Sequence, residues 1–487
     1  MKKIFGKLAV LLLMAIMCLS ACLFASCGEE EKPEETPLKQ YNVNVENVLP
    51  LGEVTANALK AQDGGTLYEI VVTPKIGYAV KTFKVNGAEV GLTDNKMECV
   101  LKQDISVTVD YCRKNSEELQ RRQEMVVNKM NQYCDTYFKY DQDYSYNLNG
   151  RDITLKKGVL HGGLPYTIHS SISPDAYLDF AVSQDSKGVY TISFPSGYNP
   201  VFWGGSCANA TFWAWSSISS SIRFTYSGNM LEKYGAYTVG VFNYDPETDI
   251  KNDKWQDTLL VCQNNGPEVM AEAYAMMNKG DAMQYMNTKL GNHVIIVTDI
   301  IVERGEDGKI NMSKSKIVYS DQHGGYHNRA SQEGKTVYSS TNCNYTKSFS
   351  EIYENAYLPM TCIELLDDST PLAKAEFTDS IGSTNITKTN VLRGYIECNY
   401  GIRKGEMVIT DANGAEVFKA TRYGFETNPQ RLPYSNFGTT DGEYGVANVY
   451  NDKLDLSALP AGEYHVVVTA IAATGESAVI RDYTFVN

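Results

Sequence analysis

Residues 41–112 show the alternation of apolar and polar positions that half-buried β-strands have. The dipeptides Gly64-Gly65 and Asn86-Gly87 fall between the alternating runs, and both are typical of tight turns. We therefore predict a small all-β module over residues 41–112. Its three clearest strands are predicted at residues 41–45, 68–74 and 105–111.

The period of the pattern becomes helical after Ser116. Apolar residues then recur at helical spacing, at Leu119, Val126, Met130, Tyr133 and Tyr137. This spacing predicts a long amphipathic helix that opens a second, central domain over residues 113–370. The same domain is predicted to contain helices at 208–219 and 267–278 and a strand at 294–302.

Strand-like runs return from residue 371, at 391–398, 406–410 and 463–470. The run Leu459-Pro460-Ala461-Gly462-Glu463-Tyr464 is similar to the last hairpin of immunoglobulin-like sandwiches on bacterial surface proteins. This resemblance implies a C-terminal immunoglobulin-like β-sandwich over residues 371–487, a fold that is mostly scaffolding. In the N-terminal module, Val71-Val72-Thr73-Pro74 and Val85-Asn86-Gly87 resemble the small all-β repeat modules of such surface proteins.

Residues 1–27 have the features of a bacterial export signal. Lysines precede an apolar run at residues 8–19, which is too short to span a bilayer. The run ends in Leu19-Ser20-Ala21-Cys22, which resembles the lipobox of bacterial lipoproteins, and Cys27 is the alternative lipidated residue. The resemblance implies an N-terminal lipid that holds the protein on a bacterial cell membrane, facing outside the cytoplasm. Residues 28–40 are acidic and contain prolines, so we predict an extended tether there.

Composition narrows the functional classes. The chain has 487 residues, 43% of them apolar and 21% charged, which indicates a multidomain globular protein. Lysine and arginine total 44 against 58 for aspartate and glutamate, a formal net charge of −14, so we predict no nucleic-acid partner. No Cys-x-x-Cys pair occurs, and His323 and His327 lie in a glycine-containing stretch. We therefore predict no metal site and no cofactor.

The candidate catalytic residues belong to the central domain. Cys207 follows Gly204-Gly205 and opens a predicted helix, where backbone N–H groups and the helix dipole favour a thiolate. His293 follows Gly291-Asn292 at the beginning of the predicted strand. An imidazole there can take a thiol proton near neutral pH. The sequence thus predicts a nucleophile and a general base.

A third residue must hold the imidazole in one tautomer. The strand that contains His293 is predicted to turn at Gly305-Glu306-Asp307-Gly308 and to return as the second strand of an antiparallel hairpin. With the turn centred between residues 306 and 307, His293 lies opposite Ser320 and shares a face with Gln322. A slip of one residue places Asp321 there instead, so both remain candidates.

Three short sequence motifs contain the candidate catalytic residues or lie between them: Gly205-Ser206-Cys207, Gly280-Asp281 and Gly291-Asn292-His293-Val294. Polar residues follow on the next predicted strand. The order of these motifs resembles that of the papain-like cysteine hydrolases, especially the NlpC-type and CHAP-type cell-wall enzymes. The resemblance covers residues 115–365 and implies an α+β papain-like fold for the central domain. It implies that the substrate is a peptide or a cell-wall peptide.

The same resemblance assigns the roles. It implies Cys207 as the nucleophile, His293 as general base and then general acid, and Asp321 or Gln322 as the residue that orients the imidazole. Where papain has its oxyanion glutamine, six positions before the cysteine, this sequence has Val201. The backbone N–H of Cys207, with Tyr198 or Asn199 nearby, is left to bind the oxyanion.

We therefore predict a membrane-anchored thiol hydrolase that cleaves an amide bond, in a peptide or a peptidoglycan stem, through a thioester intermediate. The missing glutamine favours the alternative, a catalytically inactive papain-like surface lipoprotein that acts as a binding or adhesion module. A transglutaminase-like acyl transferase uses the same order of residues and is a third reading.

Overall fold

A computed structural model gives the structure of the protein. The two candidate lipidation residues, Cys22 and Cys27, lie outside the described residues, as does most of the predicted tether. The structure describes residues 38–487 except 48, 149, 169–170, 195–203, 226–229, 244–257, 288–290, 382–388, 392–393, 424–427, 435–436, 438–452 and 457.

The predicted fold class, a multidomain chain with an α+β papain-like centre, is wrong. Strands make up 47% of the described residues and helices 17%, and the central part of the chain is built on one long β-sheet. Runs such as Tyr137–Tyr140 and Thr336–Ser348 are rich in tyrosine, threonine and serine, and they form strands here. Short runs of this kind are hard to assign from periodicity, so the sequence understated the β content.

Seven strands before residue 114 form two small sheets. They are β1 (Val43–Val45), β2 (Gly52–Gln62), β3 (Gly65–Pro74), β4 (Tyr78–Val85), β5 (Ala88–Glu89), β6 (Lys96–Leu101) and β7 (Ile105–Arg113). One sheet has the order β1-β7-β4-β5 and the other β2-β3-β6. Alternate residues are buried, as in Ile70, Val72 and Val107, because side chains along a strand point to opposite faces.

The central residues form a ten-stranded sheet and a separate hairpin. The strands are β8 (Tyr137–Tyr140), β9 (Tyr144–Leu148), β10 (Arg151–Leu155), β11 (His161–Gly162), β12 (Ala181–Gln184), β13 (Tyr190–Ile192), β14 (Ala236–Thr238), β15 (Ala282–Asn287), β16 (Gly291–Ile301), β17 (Lys316–Ala330), β18 (Thr336–Ser348) and β19 (Leu358–Cys362). The sheet order is β12-β13-β8-β11-β18-β17-β16-β15-β19-β14, and β9 pairs with β10 alone.

Among the described residues, five α-helices accompany these strands: α1 (Glu117–Asp135), α2 (Pro174–Leu178), α3 (Cys207–Trp215), α4 (Thr258–Ala275) and α5 (Phe349–Glu354). Helix α1 begins where the sequence predicts, because the Ser116 hydroxyl accepts a hydrogen bond from the Leu119 N–H at 3.1 Å. Its apolar stripe, including Val126 and Met130, is buried. Helix α4 is interrupted at Gly266, where φ is 76°.

The remaining strands form three sheets with their own buried cluster. The strands are β20 (Phe377–Asp379), β21 (Thr389–Val391), β22 (Tyr395–Cys398), β23 (Ile402–Asp411), β24 (Glu416–Tyr423), β25 (Arg431–Pro433), β26 (Lys453–Asp455), β27 (Glu463–Ala472) and β28 (Ser477–Val486). The sheets have the orders β20-β22-β25, β21-β26 and β24-β23-β27-β28. The domain boundaries at residues 112 and 370 remain predictions.

Polar contacts connect these three parts of the chain. Arg113, the last residue of β7, forms a buried ion pair with Asp281, with its Nη1 3.1 Å from the Asp281 Oδ2. On the other side, the Gly401 N–H donates to the Ser216 hydroxyl at 2.8 Å. No described helix is both long and apolar enough to span a membrane.

Candidate active site

Cys207 is the first residue of α3, and its position is fixed by the residues around the beginning of that helix. Ser206 is the N-cap residue. The Asn209 Oδ1 accepts hydrogen bonds at 2.8 Å from both the backbone N–H and the hydroxyl of Ser206. Every residue of α3 is buried, and Cys207 itself is 7% exposed. The thiol therefore lies at the positive end of a helix in a largely water-excluded place.

Glycine is required at the two positions before Ser206 and Cys207, because other atoms lie too close there to leave room for a side chain. A Cβ atom on Gly204 would lie 2.0 Å from the carbonyl oxygen of Pro165, and one on Gly205 would lie 1.9 Å from the Tyr133 hydroxyl. The Gly205 carbonyl accepts a hydrogen bond from the Thr167 N–H at 3.0 Å. The segment before Cys207 is thus packed against the 165–167 segment and the last turns of α1.

His293 and Asp321 come together across neighbouring antiparallel strands. His293 lies near the beginning of β16 and Asp321 lies on β17. The His293 Nε2 is 2.8 Å from the Asp321 Oδ2, and a side-chain hydrogen bond also links His293 to Cys207. The structure therefore places the Cys207, His293 and Asp321 side chains in one hydrogen-bonded series.

The predicted hairpin register is wrong, although the turn is where the sequence indicates. A hydrogen bond from the Gly308 N–H to the Gly305 carbonyl closes the turn. Ile296, not His293, pairs with Ser320. The shift of three positions arises because residues 311–315 form extra turns before β17 begins, and a bulge on β16 after Val297 offsets only one residue of that displacement.

Of the two candidates for the third residue, only Asp321 contacts the histidine. The Gln322 amide nitrogen donates to the Leu164 carbonyl and to the Ser340 hydroxyl, both at 3.0 Å. Consecutive strand residues point to opposite faces of the sheet. Gln322 therefore supports the packing of the sheet, and Asp321 orients the imidazole.

The charges of the three groups stabilise one another. Burial alone would lower the pKa of His293, but Cys207 and Asp321, through charge and hydrogen bonds, raise that pKa to about 10. Burial would raise the pKa of Asp321, but the hydrogen bond and charge of His293 lower it overall. This balance favours an imidazolium on His293 and a carboxylate on Asp321 at neutral pH.

One further group lies at the site, the Tyr133 hydroxyl, and no sequence pattern indicates its position there. It belongs to α1, is fully buried, and has no hydrogen-bond partner within the described residues. It lies against the Gly205 backbone. Burial raises the pKa of Tyr133, and the charges of Cys134 and Cys207 raise it further. Such a hydroxyl can donate to an oxyanion that forms beside the nucleophile.

Tyr133 was interpreted from its helical spacing as an ordinary core residue. Its burial agrees with that interpretation, but a core tyrosine normally pairs its hydroxyl. The oxyanion candidates Tyr198 and Asn199, and the Val201 that replaces the glutamine, lie outside the described residues.

Three tyrosine side chains lie near Cys207 and His293. Tyr166 and Tyr285 are half-buried, and Tyr357 is fully buried. Burial raises the pKa of each of these tyrosines, and the charge of Cys207 contributes to each shift. The Tyr285 ring lies beside the imidazole of His293, with a distance of 6.0 Å between ring centroids. The Tyr357 ring packs edge-on against the Tyr285 ring, with 4.9 Å between ring centroids, so an apolar surface with polar tips lies beside His293.

The histidine pair near the site has no metal-ligand geometry. The rings of His323 and His327 stack with a centroid distance of 5.1 Å. Within the described part of the chain, no three His, Cys, Asp or Glu residues are grouped so that they could hold a metal ion.

No protein-family model matches this chain, and no curated protein is significantly similar to it.

Proposed function

We propose that this protein is a thiol hydrolase that cleaves an amide bond through Cys207, His293 and Asp321. The observation that carries the proposal is the hydrogen-bonded series of these three side chains at the beginning of α3. A nucleophile, a base and a group that orients the base are the minimum set for covalent acyl transfer.

The geometry supports a two-step reaction. The Cys207 thiolate attacks the carbonyl carbon, and the resulting oxyanion accepts hydrogen bonds from the Tyr133 hydroxyl and from backbone N–H groups at the beginning of α3. The His293 imidazolium then gives its proton to the leaving amine, which leaves a thioester on Cys207. In the second step the neutral His293 takes a proton from water, the hydroxide attacks the thioester, and the acid is released as the Cys207 thiolate leaves, which restores the thiolate and the imidazolium. Asp321 keeps the imidazole oriented throughout.

We propose a peptide or a peptidoglycan stem as the substrate. The half-buried tyrosines Tyr166 and Tyr285 support this class, because flat rings with hydroxyl tips suit an extended peptide.

We also propose that the protein is held on a bacterial cell membrane by a lipid on Cys22 or Cys27, which the sequence pattern supports. Detergent-phase partition of the wild type and of Cys22→Ala and Cys27→Ala tests the anchor, and an unchanged water-phase protein in all three refutes it.

The pH dependence of Cys207 alkylation tests the catalytic proposal. An ion-paired thiolate reacts with iodoacetamide at pH 6, where an ordinary thiol with a pKa of about 8.5 is almost fully protonated, so the wild type should react about 100-fold faster than His293→Ala. His465→Ala is the matched control, because His465 lies on β27 and pairs with Asp482 instead. The control should react like the wild type.

Turnover is then tested with isolated peptidoglycan and a peptide library, with Cys207→Ser as the inactive reference. Released amines that depend on Cys207 support hydrolysis. If Cys207 titrates as an ordinary thiol in the wild type and in His293→Ala, the hydrolase is refuted and a binding module is the better interpretation.

A further inference from the structure

Two cysteines from distant parts of the chain lie beside the pair formed by Asp321 and Asn342. Cys134 lies in the last turn of α1 and is fully buried, and Cys343 lies on β18 and is half-buried. No disulfide joins them in the structure. Neither residue takes part in the proposed reaction.

The strand pairing brings the two side chains to the same place. The Thr341 hydroxyl donates to the Cys134 carbonyl at 2.9 Å, and Cys343 follows two residues later on the same strand, where β18 begins a bulge. The Cys134 Sγ is 3.6 Å from the Asp321 carbonyl oxygen, and Asp321 pairs with Asn342, the neighbour of Cys343. Both thiols therefore border the same strand position.

A second set of contacts, made by Gln332, also links the surroundings of Cys134 and Cys343. The Gln332 side-chain amide donates to the Cys343 Sγ at 2.9 Å, while the Gln332 backbone N–H donates to Asp135, the residue after Cys134, at 2.9 Å. Burial raises the pKa of Cys134, and after burial the charge of Cys343 is the strongest influence that raises it.

We propose that Cys134 and Cys343 are a disulfide site that cross-links the end of α1 to β18. The proposal does not depend on the hydrolase function. The half-buried Cys343 thiolate attacks a small disulfide such as oxidised glutathione and releases one glutathione thiol. The Cys134 thiol then attacks the mixed disulfide and releases the second. The two protein thiols lose two electrons and two protons, and the reagent gains both.

The cross-link encloses most of the candidate site. Cys207, His293 and Asp321 all lie between residues 134 and 343. A long closed loop restricts the unfolded chain, so the oxidised protein should be more stable than the reduced one. An oxidising compartment outside the cytoplasm, as the export signal predicts, would favour the oxidised form.

The experiment uses the protein with Cys207→Ser, so that the proposed nucleophile does not react. Half is treated with oxidised glutathione and half with dithiothreitol, and non-reducing peptide mapping looks for a Cys134–Cys343 linked peptide. We expect that peptide in the oxidised half, with a Tm higher by about 5 °C or more.

The control separates this pair from general thiol oxidation. Adding Cys343→Ser should abolish both the linked peptide and the redox-dependent difference in Tm. Adding Cys99→Ser, which removes another half-buried thiol on β6, should abolish neither. The proposal is overturned if Cys134 and Cys343 stay unlinked in the oxidised sample, or if the Tm difference survives in Cys343→Ser. Because peptide mapping reads the link directly in a chain with both cysteines, poor folding of a serine variant does not obscure the result.

Discussion

Replacing Tyr133 by phenylalanine tests whether the Tyr133 hydroxyl acts in catalysis or only maintains the structure. The change removes one oxygen atom and keeps the ring that fills the space beside Gly205. Since the hydroxyl is buried and has no hydrogen-bond partner in the described part of the chain, its removal breaks no hydrogen bond seen there. An unpaired buried hydroxyl carries a desolvation penalty of about 1–3 kcal/mol, so the free energy of unfolding should stay the same or rise.

The expected effect on the chemistry has the opposite sign. Loss of one oxyanion donor typically costs about 10²- to 10³-fold in rate, or about 3–4 kcal/mol. Only a reaction that forms a tetrahedral oxyanion should show this loss. Acylation of Cys207 by p-nitrophenyl acetate forms such an oxyanion, whereas alkylation by iodoacetamide does not. We therefore expect Tyr133→Phe to slow acylation by about 100-fold or more and to leave alkylation unchanged.

Both rates are measured at pH 7, with Cys207→Ser as the blank for the other thiols, and urea unfolding gives the stability. Equal loss of acylation and alkylation would mean that the hydroxyl only maintains the fold around Cys207. Unchanged acylation would mean that another group binds the oxyanion. Either result refutes the reasoning from the unpaired hydroxyl.

Asp321→Asn should lower the pKa of His293, because the hydrogen bond and the charge of Asp321 both help to raise it to about 10. The wild-type imidazolium persists until the pH passes about 10, and in Asp321→Asn it should lose its proton at a lower pH. NMR titration of labelled histidine measures the pKa of His293, and an unchanged pKa in the variant would contradict the prediction. Asp482→Asn, which removes the partner of a remote histidine, is the control. Arg113→Met should reduce the free energy of unfolding in urea by about 3–5 kcal/mol, because it leaves the Asp281 carboxylate buried without its partner; a loss below about 1 kcal/mol would contradict this.

The sequence predicts those features that depend on neighbouring residues. Helix α1 begins at a serine cap and keeps one apolar stripe, and the turn at Gly305–Gly308 has its own glycines, so both lie where local pattern indicates. Cys207 and His293 are candidates for the same reason: each lies at or near the beginning of an element that its neighbours define.

Features that depend on distant residues were missed. The order of the ten-stranded sheet requires β11 to pair with both β8 and β18, which no local pattern indicates. The choice between Asp321 and Gln322 depended on how residues 311–315 are accommodated before β17, since one residue of register exchanges the two faces. The position of Tyr133 beside Gly205 required packing of α1 against α3, which periodicity does not report.

The Gly280-Asp281 block gains a physical explanation from these contacts. The Gly280 carbonyl accepts a hydrogen bond from the Trp215 indole at 2.8 Å, and Trp215 is the last residue of the helix that Cys207 begins. Asp281 pairs with Arg113 at the end of β7, 3.1 Å away. The short loop that contains Gly280 and Asp281 thus connects helix α3 to the N-terminal sheets through two buried polar contacts. Because removing one partner of a buried contact is costly, these contacts make the N-terminal sheets contribute to the position of Cys207.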